Sequence, residues 1–122
     1  MKITLKQLFI GGPMIEKLGE QKPSSAKLAY RLSRIVTSMR SEHDLLNKAQ
    51  LDLLKTHGSL IDPDKGTWEL EAEKRESFET EWRALLETEI EIWGDPIKVD
   101  DLDGHLALTV DDYTRLEWLF SD

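Results

Sequence analysis

Lys27, Tyr30, Arg31 and Arg34 follow one another at spacings of three, one and three. On a helix this puts all four side chains on one face. Three cations beside a phenol can hold an anion through charge-assisted hydrogen bonds and a planar group through stacking. The chemistry suggested is capture of a phosphate-bearing small molecule, not its transformation. An ordinary alternative stands beside it. Long cationic side chains often lie along a solvated helix face and pair with acidic neighbours.

The other titratable residues offer little for catalysis. His43, His57 and His105 are far apart in sequence, and none stands in a zinc-protease helix motif. His57, one residue before Gly58, is placed to favour a helix C-terminus. No serine occupies a nucleophile elbow and no glycine run forms a phosphate loop. The absence of cysteine removes disulfides, thiolate nucleophiles and cysteine-based zinc sites. Asp62 and Asp64 alternate as in a calcium loop, but Gly66 stands at the next ligand position, and residues 101–104 would need an oxygen ligand at Val99. The expectation is therefore no enzyme, no cofactor and no metal site.

The basic row lies in the stretch 24–58, whose pattern predicts one long helix. Leu28, Leu32, Ile35, Met39, Leu46, Ala49 and Leu53 keep to one helical stripe. Pro23 blocks continuation from upstream, Ser24 and Ser25 are good N-caps, and Gly58 sits where a helix commonly ends. At ~1.5 Å per residue the rod is about 50 Å long, against an expected radius of gyration of roughly 14 Å for a chain of this size. Everything else must pack along it. Glu42 interrupts the stripe, marking either the end of the core or a facing cation.

Local signals place the remaining elements. Thr4 and Gln7 match a capping box for a short helix, which Gly11-Gly12-Pro13 interrupts before a second turn carrying Met14, Ile15 and Leu18. This kinked arm should fold back on the rod. Asp62-Pro63-Asp64-Lys65-Gly66 is turn chemistry between Leu60-Ile61 and Trp68-Glu69-Leu70, a predicted hairpin. Residues 71–89 read as a Glu-rich helix antiparallel to the rod, with Phe78, Trp82, Leu85 and Leu86 inward. Glu89-Ile90-Glu91-Ile92-Trp93 switches to the period of a strand. Ile97-Lys98-Val99 and His105-Leu106-Ala107-Leu108 are candidate further strands, with a turn at residues 100–104 between them. Thr109-Val110-Asp111-Asp112 begins a final helix carrying Tyr113, Leu116, Leu119 and Phe120 on its inner face. The fold class expected is α+β, mainly helical, as one domain over 1–122. It comprises a long helix with an antiparallel Glu-rich helix, short terminal helices and a small antiparallel sheet.

Composition bounds the partners. With 39% hydrophobic residues and four tryptophans among 122 residues, the chain can bury a core. No run approaches the ~18 apolar residues of a membrane span, and the start is too polar for a secretory signal, so an intracellular, membrane-free setting is expected. The net charge of −8 hides a segregation. Ten Lys/Arg face five Asp/Glu up to His57, a net of +5, and six face nineteen beyond it, a net of −13. This predicts pairing between a basic rod and an acidic layer, and it disfavours duplex nucleic acid, which the acidic half repels.

Met1-Lys2-Ile3-Thr4-Leu5-Lys6-Gln7-Leu8, then Pro13 with Lys17-Leu18, then Ala26-Lys27-Leu28-Ala29-Tyr30-Arg31-Leu32 resembles a group of small uncharacterised bacteriophage and prophage proteins. Those share a Leu-Lys-Gln-Leu start and a Lys-Leu-Ala-Tyr-Lys helix. Their C-terminal half is similar too, with an Asp/Gly turn, a Glu-rich helix, an alternating strand and a closing helix like Leu116-Glu117-Trp118-Leu119. The resemblance implies a phage origin and carries no established activity. The expected role is a non-enzymatic accessory protein acting in the host cell cytoplasm, in counter-defence or host interference. In its sharper form the role is sequestration of an anionic, nucleotide-like immune signal by Lys27, Tyr30, Arg31 and Arg34. A virion or assembly component (connector, decoration protein or assembly chaperone) using the long helix for protein contacts is the alternative, and an acidic nucleic-acid mimic a third. A homo-oligomer is expected, because a rod this long leaves apolar surface uncovered.

Overall fold

The computed structural model describes residues 1–62, 64–102 and 106–121, with the side chains of residues 60–62 left aside. The fold is α+β and mainly helical. Strand β1 (Lys2–Thr4) leads into α1 (Leu5–Gly11), a 3-10 turn (Gly12–Met14) and α2 (Ile15–Gly19). The rod α3 (Ala26–His57) follows, then the hairpin β2 (Ser59–Asp62) and β3 (Thr67–Glu69), and then α4 (Ala72–Leu86). The chain closes with β4 (Glu89–Glu91), β5 (Ile97–Lys98), a 3-10 turn (Val99–Asp101), α5 (Val110–Arg115) and β6 (Phe120–Ser121).

The rod begins where its cap predicts. The Leu28 amide donates to Ser25 Oγ at 3.3 Å, satisfying one of the unpaired amides of the first turn. It ends at Gly58, whose amide donates to Leu54 O at 2.7 Å. Gly58 has φ −115°, an extended value open to any residue, so the glycine serves room and not a left-handed turn. A Cβ there would lie 2.8 Å from Leu54 O and 3.1 Å from Leu70 Cδ2.

Leu28, Leu32, Ile35, Val36, Met39 and Leu46 of α3 are buried, with Leu8, Ile15 and Leu18 of the arm, Ile92, Ile97, Leu116 and Leu119 closing over them. The arm folds back as expected. Gln7 N donates to Thr4 Oγ1 at 3.2 Å while Thr4 N donates to Gln7 Oε1 at 2.8 Å, and Pro13 sits in the first turn of the 3-10 segment. Glu42 is half-buried and forms no ion pair among the described residues. Leu46, one turn further, is the last fully buried residue of α3, so the core outlasts Glu42 by a turn.

Helix α4 runs antiparallel to α3. His57 pairs with Glu81 at one end, and the Trp93 amide, beyond the other end of α4, donates to Ser38 Oγ at 3.0 Å. Phe78, Trp82, Leu85 and Leu86 face inward but stay half-buried, and α4 has no fully buried residue. It is a cover on one side of the rod.

The sequence left the partners of the strands open. The alternating segment forms β4, which pairs antiparallel with β1 in the register Ile3↔Ile90. The other two candidate strands do not join it. Ile97–Lys98 pairs in parallel with Phe120–Ser121, and residues 106–108 form no strand. The hairpin pairs as predicted, with a bulge between Leu60 and Asp62. Among the described residues the strands thus make three two-stranded ladders, two antiparallel and one parallel. Pro63 of the predicted hairpin turn, the predicted turn residues Asp103 and Gly104, and His105 lie outside the described residues.

The closing helix is shorter than predicted. Its capping box is present, with Asp112 N donating to Thr109 Oγ1 at 3.1 Å and Thr109 N to Asp112 Oδ2 at 2.9 Å. It stops at Arg115, and 116–119 is a turn that still buries Leu116 and Leu119 completely. There the Leu119 amide donates to Leu116 O at 2.8 Å, a turn bond and not the i−4 bond of an α-helix, and Ile97 N donates to Leu119 O at 2.7 Å, where the pairing of β6 with β5 begins.

Asp112 is also the one charged side chain buried among the described residues. The Lys17 ammonium bonded to its carboxylate, and then the Thr109 amide, hold its pKa below the ordinary range, against the opposing effect of burial. A carboxylate lowered on folding contributes stability above its unfolded pKa, near 3.9, and loses it as pH falls toward the folded value. Asp112→Asn keeps a capping oxygen but not the charge. The variant is expected to be less stable than the parent at pH 7, with the gap closing below about pH 4, as measured by urea midpoints across pH.

Candidate functional site

The basic row is set by helical periodicity, and the structure splits it in two. On one side Arg34 Nη1 donates to Tyr30 Oη at 3.0 Å, and its guanidinium carbon lies 5.9 Å from the Tyr30 ring centre and 4.8 Å from that of Trp93. The two rings meet edge to face at 6.5 Å and 86°. Arg34 therefore rests against two aromatic rings within the range of cation–π attraction. On the other side Arg31 donates to the carbonyls of Asp95 at 3.3 Å and Pro96 at 3.5 Å. Lys27 and Arg31 then border a cavity of about 150 Å³ with Ser25, Leu28 and Asp101.

Trp93 and Asp101 are the members that sequence reasoning missed. The signal for Trp93 was present. Alternation that turns Ile90 and Ile92 inward turns Trp93 outward, and a Trp on the outer face just before Gly94-Asp95-Pro96 is a candidate contact residue. Trp93 is 37% exposed, while Ile92 beside it is buried. Its position is held by the bond from its amide to Ser38 and by Gly94, whose φ of +88° only glycine adopts without strain. The Met1 amino group adds bonds to Ile92 O at 2.6 Å and Gly94 O at 2.7 Å. For Asp101, 74 residues after Lys27, no local pattern points to the row.

The expected pairing of basic and acidic halves occurs, but not at this row. Four of the seven ion pairs among the described residues join the halves: Met1–Glu91, Lys2–Glu89, Lys17–Asp112 and His57–Glu81. The arm supplies most of them, and α3 supplies only His57. Lys27, Arg31 and Arg34 have no carboxylate within 4.0 Å among the described residues. Among the described residues, then, none of these three cations is ion-paired, in a chain of net charge −8.

A larger cavity, about 310 Å³, lies between α2 and α3. At its rim Glu16 and Arg40 neutralise each other at 3.4 Å, so it presents no comparable field. Among the described residues no group of three or more His, Asp or Glu side chains is placed to hold a metal ion, and no helix is long and apolar enough to cross a membrane. Compared with family models, curated proteins and solved structures, the chain matches none of them.

Proposed function

We propose that the protein is a non-enzymatic binding protein whose ligand is a small anionic, nucleotide-like molecule. The observation that carries this reading is the Tyr30–Arg34–Trp93 cluster, flanked by Lys27 and Arg31, with none of the three cations ion-paired among the described residues. Arg34 spends one of its five N–H donors on Tyr30 Oη and Arg31 keeps donors beyond its two carbonyl contacts. Those donors suit a phosphate group. The exposed part of the Trp93 ring offers stacking to a base, and Asp101, which lines the cavity with Lys27, supplies an acceptor for a sugar hydroxyl. Together with the resemblance to phage proteins, this supports an accessory protein of the infected host's cytoplasm that sequesters a nucleotide immune signal.

The test is isothermal calorimetry of the full chain against cyclic dinucleotides, cyclic mononucleotides and ADP-ribose-type nucleotides, with mass spectrometry of small molecules that copurify. Saturable heat with at least one class is expected. No heat from any class, and no copurifying ligand, would falsify the reading.

A second reading rests on a separate observation. From Leu45 onward the outer face of α3 is bare, with Leu45 61% and Leu51 40% exposed. This favours protein contacts of the kind a virion or assembly component makes. Mass spectrometry of purified particles distinguishes the two, since an accessory protein is absent from them.

A further inference from the structure

The bare half of α3 carries a pattern that no function discussed so far uses. Asp44, Lys48, Asp52 and Lys55 follow at spacings of four, four and three, so they form one row of alternating sign along the helix. All four are exposed, and none has an ion-pair partner among the described residues. Glu81 of α4, the acid that shares a cavity with Asp52, is taken up by His57. Leu45 and Leu51 flank the row, one on each side, by their angular positions on a helix of 3.6 residues per turn.

We propose that this face binds the same face of a second copy, the two α3 helices crossing antiparallel about a two-fold axis near residue 50. The row reads minus, plus, minus, plus from its N-terminal end, so reversing one copy sets every charge against its opposite. Asp44 meets Lys55 of the second copy and Lys48 meets Asp52, and the symmetry repeats both pairs. A parallel arrangement in register would oppose like charges throughout. The pairing also covers Leu45 and Leu51 at the two rims of the contact. Other proteins could be repelled or tolerated by such a row, but a second copy is complementary to it by construction.

The row spans only about 18 Å of helix, so the contact falls short of the ~1,000 Å² of a stable interface. The dimer is consequently weak, and because its pairs are exposed it weakens with salt. It does not depend on the ligand site, which lies on the opposite half of the rod.

Sedimentation equilibrium of the full chain over rising concentration tests this at low and high salt. Reversible monomer–dimer association, weaker in high salt, is expected. Lys48→Glu opposes Asp52 twice in one dimer, and Asp52→Lys opposes Lys48 twice, so each should weaken association tenfold or more. The double variant Lys48→Glu/Asp52→Lys restores the complementarity and should recover the dimer. Thermal melts by circular dichroism show whether each variant folds, and the restored double variant guards against loss by misfolding. A parent that stays monomeric, single reversals that leave the dimer intact, or a double variant no better than the singles would each overturn the proposal.

Discussion

Ile35→Ala should destabilise the protein by about 3 kcal/mol, within the 2–5 typical of deleting a large buried aliphatic side chain. Ile35 has no exposed surface. It sits at the middle of the α3 stripe and is packed beneath the turn after β4, its Cγ1 3.9 Å from the place a Cβ on Gly94 would occupy. Truncation removes apolar contacts and leaves a void between two backbones that ladders and caps hold apart, so collapse is only partial. Against a total stability of 5–15 kcal/mol, the loss should lower the urea midpoint strongly with little change in slope. Leu45→Ala, on the exposed far half of the same helix, should change the stability of the monomer by no more than about 0.5 kcal/mol. Equal effects at the two positions would contradict the assignment of the core to the first half of the rod.

That contrast reflects how α3 is used. Up to Leu46 its apolar stripe meets the arm, the β4 segment and the closing turn. Beyond Leu46 only α4 and the hairpin accompany it, and Ala49 and Leu53 are half-buried. The Ile35 side of the helix is therefore the side on which the ligand surface depends. Ile35 supports Gly94, Gly94 sets the turn, and the turn presents Trp93 to Arg34.

Features whose cause lies within a few residues were legible before any coordinates. The Thr4–Gln7 and Thr109–Asp112 caps, the break at Gly11-Gly12-Pro13, the span of the rod and the hairpin all follow from local chemistry and period. What escaped depends on distant parts of the chain. The strand at Lys2–Thr4 exists because Glu89–Glu91 lies alongside it, and three residues leading into a helix carry no signal of that. The strand at Phe120–Ser121 likewise exists because Ile97–Lys98 lies alongside it. The ligand surface divides along the same line. Lys27, Tyr30, Arg31 and Arg34 are one helical face and were found by spacing. Trp93 and Asp101 reach them only because the β4 and 3-10 segments lie against α3.

Arg34→Ala should weaken binding of whichever nucleotide gives heat with the parent by 10- to 100-fold. A hydrogen bond to a charged group is worth about 1.5–3 kcal/mol, and the substitution also leaves Tyr30 Oη and the Trp93 face without the cation they meet. Trp93→Ala should cost a similar factor, since stacking on one aromatic ring is worth about 1–3 kcal/mol. Because Arg34 lies against Trp93, the two losses should not add, and the double variant should bind only slightly worse than either single one. Arg34→Lys should recover little, as an ammonium neither stacks flat on indole nor presents a planar fork to phosphate. Both side chains are solvent-exposed, so stability from urea unfolding should stay within about 0.5 kcal/mol of the parent. A loss of binding with unchanged stability separates a contact role from a structural one. Full affinity in both single variants would remove the aromatic–arginine cluster from the site, and additive losses would mean that the two residues touch the ligand independently.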